Sequence, residues 1–236
     1  SFEMMDAYSF GKDEKDLDIE YERIKEAYLE IFDELGLNVH PVGADSGAIG
    51  GTKSEEFMCV SDIGEDNILY DEYTGKLINS ELLDKIDAQE YIEKTYGIKD
   101  LNNLKSKKAC ELGHIFQLGE KYSKSMNGTY IASDGKPKYY SMGCYGIGVS
   151  RTLAMIYENS IVRNDKNEFL GISLPVNLTP YIIYIIAKTD DKEKLKYANN
   201  LYKMLISDDI PVLYDDRDDL SIGAKLKDSN LTGIPY

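Results

Sequence analysis

The chain has 236 residues, 42% of them apolar, a length that holds one large domain or two small ones with a real core. Its 42 acidic residues against 27 basic ones give a formal charge of −15, which excludes a surface built for indiscriminate polyanion binding, so any nucleic acid partner would meet a local basic patch. Three cysteines without a C-x-x-C pair and only two histidines exclude a disulfide framework and a structural zinc site; with no stretch of transmembrane length and no signal or transit pattern at the start, a soluble, cytoplasmic protein is expected.

Residues Ser1 to Phe10 read as a strand, with Phe2 and Phe10 as candidate core side chains, Phe10 the better of the two. From Asp13 to Leu37, apolar residues at Leu17, Tyr21, Ile24, Tyr28, Ile31 and Leu35 recur at three-to-four spacing and predict a helix that Gly36 can end. The next segment, Val42 to Phe57, sets Gly47, Gly50 and Gly51 beside Asp45, Glu55 and Glu56. Spacing favours a turn between two strands that presents carboxylates. Asp62–Ala109 is polar, with a short helix predicted around Ser80–Lys94 and a turn at Tyr96-Gly97. Glu111 to Ser123 alternates like a strand with one functional face, and Asp134-Gly135-Lys136-Pro137 reads as a hairpin turn.

The stretch Ser141-Met142-Gly143-Cys144-Tyr145-Gly146-Ile147-Gly148-Val149-Ser150-Arg151 is a strand with three glycines, followed by the helical run Thr152 to Tyr157. Glycines let a flat ligand lie against the backbone, and an arginine at the head of a helix offers a charged planar fork to phosphate oxygens. Spacing alone leaves open a second reading, in which the strand merely crosses under a neighbour and Arg151 is a surface residue. After turn residues at 163–165 and 175–177, a continuous apolar run from Tyr181 to Ala187 predicts a strand buried on both faces. A helix over Lys192–Leu205 and a strand over Pro211–Tyr214 complete a βαβ unit with parallel strands.

Several of these blocks carry a family resemblance. Gly-Cys-Tyr-Gly-Ile-Gly-Val-Ser-Arg at 143–151 closely resembles motif 3 of the class II aminoacyl-tRNA synthetases in its bacterial-type prolyl-tRNA synthetase form. The opening strand resembles the second strand of motif 2, Ala44 to Gly51 with Ser54-Glu55-Glu56-Phe57 resembles a signature beside the proline pocket, and Gly113 to Ser123 resembles the block lining the adenylate cleft. The chain from Tyr214-Asp215-Asp216-Arg217 to Gly233-Ile234-Pro235-Tyr236 resembles the anticodon-binding domain of the prolyl, threonyl, histidyl and glycyl enzymes. Glu55 stands where the family has histidine, and Glu120 where threonine is usual. On this alignment motif 1 and the phosphate-gripping arginine of motif 2 would precede residue 1, and the family continues past Tyr236.

The resemblance implies an α+β class II catalytic domain, an antiparallel sheet with flanking helices, over residues 1–161. It carries a short insertion at about 64–109 in place of an editing domain. A linker over 162–179 and the first part of an α/β anticodon-binding domain over 180–236 follow. It further implies two-step aminoacylation, with ATP and Mg2+, proline and tRNA(Pro) as cofactors and partners, a homodimer at full length, and no editing of alanyl-tRNA in cis. Arg151 becomes the catalytic candidate, with Phe2, Gln117 and Gly148 beside it for ATP. Asp45, Gly47, Glu56, His114, Gly143 and Cys144 become the proline-binding candidates, and Lys225 and Lys227 the tRNA contacts; no metal ligand is identified. Threonyl-tRNA synthetase is disfavoured because it would want a zinc held by cysteine and histidines. A nucleotide- or tRNA-binding module without aminoacylation remains the alternative.

Overall fold

Alternation near the N-terminus becomes β1 (Met4–Gly11), and the helical spacing after it becomes α1 (Glu14–Glu34). The computed structural model describes residues 2–236; Ser1, the first residue of the expected opening strand, lies outside them. Asp13 caps α1 by accepting the backbone N–H of Asp16, and Glu14 and Asp16 set negative charge against the positive end of the helix dipole. Gly36, at φ 72°, ends the helix in the left-handed region where a side chain would be strained. The buried stripe of α1 is Leu17, Tyr21, Tyr28 and Phe32. Ile31, expected in that stripe, is 40% exposed, because the face pressed on the sheet rotates by one residue toward the last turn and takes Phe32 instead.

The chain continues through β2 (Val39–Gly43), β3 (Lys53–Val60), β4 (Asp66–Asp71), β5 (Leu77–Asn79), α2 (Ala88–Tyr96), β6 (Leu104–Gly119), α3 (Lys121–Ser125), β7 (Thr129–Ile131), β8 (Pro137–Tyr139), β9 (Ser141–Gly148) and α4 (Val149–Asn159). Seven strands form one sheet in the order β1-β9-β6-β3-β2-β5-β4, antiparallel except for one parallel pairing between β2 and β5. The long strand β6 binds β4 through its first residues and β3 through the rest. Helix α1 covers one face. Tyr28 and Phe32 meet Phe57 there with ring centroids 5.1 and 5.9 Å apart, and the fully buried Tyr145 ties its hydroxyl to Ser9 at 2.8 Å.

Residues expected to be mainly polar between β3 and β6 instead build a core of their own: Leu69, Ile78, Leu82, Ile92 and Ile98 are all buried, and β4 and β5 extend the sheet. Tyr96 of α2 packs so closely on Gly43 of β2 that a Cβ there would lie 2.1 Å from its ring. Phe10, read as a core residue, is 60% exposed. It stands on the face of β1 away from α1, where it meets the edge of Tyr140 at 5.8 Å.

The chain folds into two compact units, the first ending at Met155 and the second running from Ile156 to Tyr236. The second holds β10 (Ile161–Arg163), β11 (Phe169–Ile172), β12 (Ile183–Ile186), α5 (Lys192–Ser207), β13 (Val212–Asp215) and α6 (Ile222–Thr232). Residues 162–179, read from sequence as a linker, contain most of the β10–β11 hairpin. Strands β12 and β13 are parallel with α5 between them, a βαβ unit. Ile185, Ala187, Ala198 and Val212 form its core. The run expected to be buried on both faces is only half-buried at Tyr184 and Ile186, since these face an open groove of about 560 Å³ beside α6.

Candidate active site

Strand β9 lies between β1 and β6, and its Gly146 and Gly148 form the floor of whatever rests on the uncovered face of the sheet. A cavity of about 350 Å³ opens there, lined among others by Phe2, Glu111, His114, Gly146, Gly148 and Arg151. A Cβ on Gly146 would come within 3.2 Å of Met4, tighter than ordinary contact, whereas one on Gly148 would make an ordinary contact with Arg151 at 3.4 Å. Arg151 sits in the first turn of α4, where the positive end of the helix dipole favours an anion. Its Nη1 donates to the Glu111 carbonyl at 2.8 Å and to the Glu111 carboxylate at 3.0 Å, which aims the guanidinium across the mouth of the cavity. Phe2 stands 74% exposed at the same opening.

Glu111 and His114 lie side by side because β6 carries a bulge: Phe57 pairs with Gly113 but Met58 with Glu111, leaving Leu112 as the extra residue. His114 Nδ1 lies 3.2 Å from Glu111, its Nε2 contacts the Ser54 hydroxyl, and its ring stacks on Phe116 at 3.8 Å. Those partners assign the tautomer with Nδ1–H donating to Glu111 and Ser54 donating to Nε2. Burial alone would raise the Glu111 carboxyl, but His114 and Arg151 outweigh it and hold the group below the ordinary glutamate range.

Opposite His114 on β3 stands Glu56, 8% exposed, with its Oε2 held by the Asn79 amide at 2.7 Å and its Oε1 3.8 Å from His114 Nδ1. Burial, opposed by the Asn79 bond, pushes its carboxyl up to about 7. Glu56, Glu111 and His114 bring their donor atoms within 4.8 Å of one another. Two carboxylates so placed suit a hard divalent cation, which takes oxygen ligands. Asp45, in the loop between β2 and β3, accepts from Gly47 N–H at 2.7 Å and pairs with Lys85, and these bonds hold its carboxyl below the ordinary range. Lys121 and Tyr122 of α3 pin that loop through the Ile49 carbonyl, at 2.6 and 3.0 Å.

Arg151, Phe2, Gly148 and His114 thus meet at one cavity, with Glu56 beside His114. Cys144 faces the same side of the sheet, packed with Phe116, Leu118 and Met142. Asp45 and Gly47 stand in the neighbouring loop. Gln117 and Gly143 do not join them. Gln117 donates to Asp18 of α1 at 2.7 Å, and a Cβ on Gly143 would strike the Tyr145 hydroxyl and Ser9, so both belong to the face that α1 covers. Glu55, the departure from the family pattern, also faces α1, bonded to Tyr21 at 2.9 Å and Lys25 at 2.6 Å, while Glu120 makes a surface pair with Lys124.

Lys225 is corrected as a tRNA contact. It is fully buried, donating to the carbonyls of Ala187 at 2.9 Å and Asp215 at 3.2 Å, and cannot reach a phosphate; Lys227 is exposed. Sequence reading missed Ser54, Asn79, Lys85 and Glu111. Asn79 and Lys85 bear no motif of their own, and Ser54 stands inside the Ser-x-Glu-Phe signature without having been singled out. Glu111 sits three residues before His114, a spacing that a regular strand would place on opposite faces.

Residues 1–160 match the family profile described as the tRNA synthetase class II core domain (G, H, P, S and T), and residues 181–236 match the anticodon binding domain. Among curated relatives, the proline–tRNA ligase of Ehrlichia canis (strain Jake) is 40% identical over 248 positions and that of Sulfurimonas denitrificans 36% over 248, each alignment covering 100% of this chain and 55% of the relative. The proline–tRNA ligase of Staphylococcus haemolyticus is 29% identical over 377 positions, covering 99% of this chain and 65% of the relative. The chain therefore spans little more than half the length of its first relatives. With the core profile matched over more than half of its residues, on the antiparallel sheet that carries the glycine-floored cavity, the chain belongs to the class II aminoacyl-tRNA synthetases.

Proposed function

We propose that the chain carries the adenylation centre of a prolyl-tRNA synthetase: the proline carboxylate attacks the α-phosphate of ATP in line, pyrophosphate leaves, and the terminal ribose hydroxyl of tRNA(Pro) then takes the prolyl group from the adenylate. The observation that carries this reading is the meeting of Phe2, the Gly146–Gly148 floor and Arg151 at one cavity. An exposed aromatic ring suits a purine face, a bare backbone admits a flat base, and a helix-head guanidinium suits the polyphosphate. The names of the relatives supply the amino acid.

Within that frame Arg151 neutralises charge on the nucleotide, and Phe2 stacks on the adenine. Glu56 takes the secondary ammonium of proline, because one of its oxygens is free of the hydrogen bond that Asn79 makes to the other, whereas both Asp45 oxygens are engaged by Gly47 and Lys85. His114 and Cys144 bound the proline side. Mg2+ would be held chiefly by the Glu111 carboxylate and would supply charge neutralisation on the phosphates. The rest of catalysis is positioning, since the substrates bring the reacting groups. Lys227 and the second unit serve tRNA, the free thiols of Cys110 and Cys144 agree with a reducing cytoplasm, and a homodimer is the expected state of the full-length enzyme.

Proline-dependent ATP–pyrophosphate exchange on this chain, with threonine and alanine as controls, is the test. Exchange with proline alone is expected. Its absence from protein shown to be folded would reduce the chain to a nucleotide- or tRNA-binding module, and exchange with threonine would reassign the amino acid.

A further inference from the structure

We propose that Asn79, on the short insert between β3 and β6, is a positioning residue for amino acid recognition: its side-chain amide sets the Glu56 carboxylate in the orientation that receives the prolyl ammonium. This rests on the assignment of Glu56 above. Asn79 ends β5 and is 4% exposed, beside the fully buried Ile78 and near the fully buried Leu82. An amide in such surroundings costs stability unless each of its polar atoms finds a partner, and a residue that merely filled space there would be apolar like its neighbours. Both ends of Asn79 are used. The Oδ1 accepts the backbone N–H of Glu81 at 2.9 Å, which fixes which way the amide points, and the Nδ2 then donates to Glu56 Oε2 at 2.7 Å.

One carboxylate oxygen of Glu56 is thereby tied to the insert, and the other is turned toward His114 on the cavity face. Two further contacts fix the insert that carries Asn79. Lys85 pairs with Asp45 in the β2–β3 loop, and Tyr96 fits against Gly43, so Asn79 is held by a body clamped at two places on the strand and loop beside Glu56. A preset carboxylate loses little freedom when the ammonium arrives, and that is how a buried amide with no substrate contact acts on affinity.

The test compares Asn79→Asp with the unaltered chain by calorimetric titration of a non-hydrolysable prolyl-sulfamoyl adenosine and, separately, of ATP with Mg2+. The aspartate keeps the oxygen that accepts from Glu81 and removes the donor. Affinity for the prolyl analogue is expected to fall roughly 10-fold or more, the range for losing a charge-assisted hydrogen bond, while ATP affinity changes less than about twofold. Asn79→Ser, which keeps a donor, is expected to recover part of the loss. Equal losses for both ligands, or unchanged binding of the analogue by Asn79→Asp with an unaltered melting curve, overturn the proposal. If the unaltered chain binds ATP but not the prolyl analogue, the assignment of proline itself fails, and the role of Asn79 falls with it.

Discussion

Glu111 and His114, three residues apart on one strand, lie side by side at 3.2 Å on the same face of the sheet. The bulge at Leu112 makes this possible, and Arg151 joins Glu111 from α4, so that base, carboxylate and guanidinium form one chain of contacts along the cavity wall. Glu111→Gln keeps the shape and the bond to Arg151 but removes the charge. ATP affinity measured with and without Mg2+ is expected to lose most of its magnesium dependence in this variant. A magnesium dependence equal to that of the unaltered chain would remove Glu111 from the cation site.

Most elements are legible in the sequence because they follow local chemistry: Asp13 and Gly36 bracket α1, and the apolar spacing of Leu195, Ala198, Leu201 and Leu205 marks α5. The site is legible where a motif places it, as with Gly148 and Arg151. It is not legible where facing depends on long-range register. Gln117 lies among cavity residues in sequence, yet strand alternation sends it to Asp18. Glu111 runs the other way, since an irregularity that no local pattern encodes turns it toward His114. Phe10 defeats the sequence reading for a related reason: its alternation is regular, but which face of β1 receives α1 is decided by the packing of Tyr145 and Ser9.

Arg151→Ala removes the guanidinium lining the cavity mouth while leaving the glycine floor. The loss of a charge-assisted contact to phosphate predicts a fall in ATP affinity of roughly 10- to 100-fold. Proline-dependent exchange should fall at least as far, because the same group would stabilise charge in the reaction. Fluorescent nucleotide displacement checks the first quantity and exchange the second. A variant that binds ATP as tightly as the parent would return Arg151 to the role of an ordinary surface residue paired with Glu111.

The segment between β3 and β6 is occupied in packing. Ile78, Leu82, Ile92 and Ile98 close a small core against Leu69, while Asn79 and Lys85 serve the neighbouring carboxylates. Incubation of alanyl-tRNA(Pro) with the intact chain is therefore expected to leave the ester at its uncatalysed rate of hydrolysis. Rapid deacylation, retained after removal of contaminating enzymes, would mean that this segment hydrolyses mischarged tRNA after all.

In the second unit, buried Asp215 accepts two bonds from the Arg217 guanidinium, at 2.9 and 2.7 Å, a third from the Arg217 backbone N–H at 3.2 Å, and one from the Tyr184 hydroxyl at 3.1 Å, with the buried Lys225 ammonium 3.7 Å away. The bonds from Arg217 outweigh the opposing effect of burial and hold the Asp215 carboxyl well below the ordinary aspartate range. A carboxylate depressed in the folded state stabilises the fold fully above its unfolded pKa, about 3.9, and the contribution drains away as pH falls below that toward the folded value. Asp215→Asn should therefore melt below the parent near neutrality, and the gap should hold down to about pH 4 and narrow as pH falls further. Lys225→Met, which leaves the Ala187 and Asp215 carbonyls without their donor, should cost about 1–3 kcal/mol at neutral pH. A gap between parent and Asp215→Asn that stays constant across the acid range would show that the carboxylate charge contributes nothing to this fold.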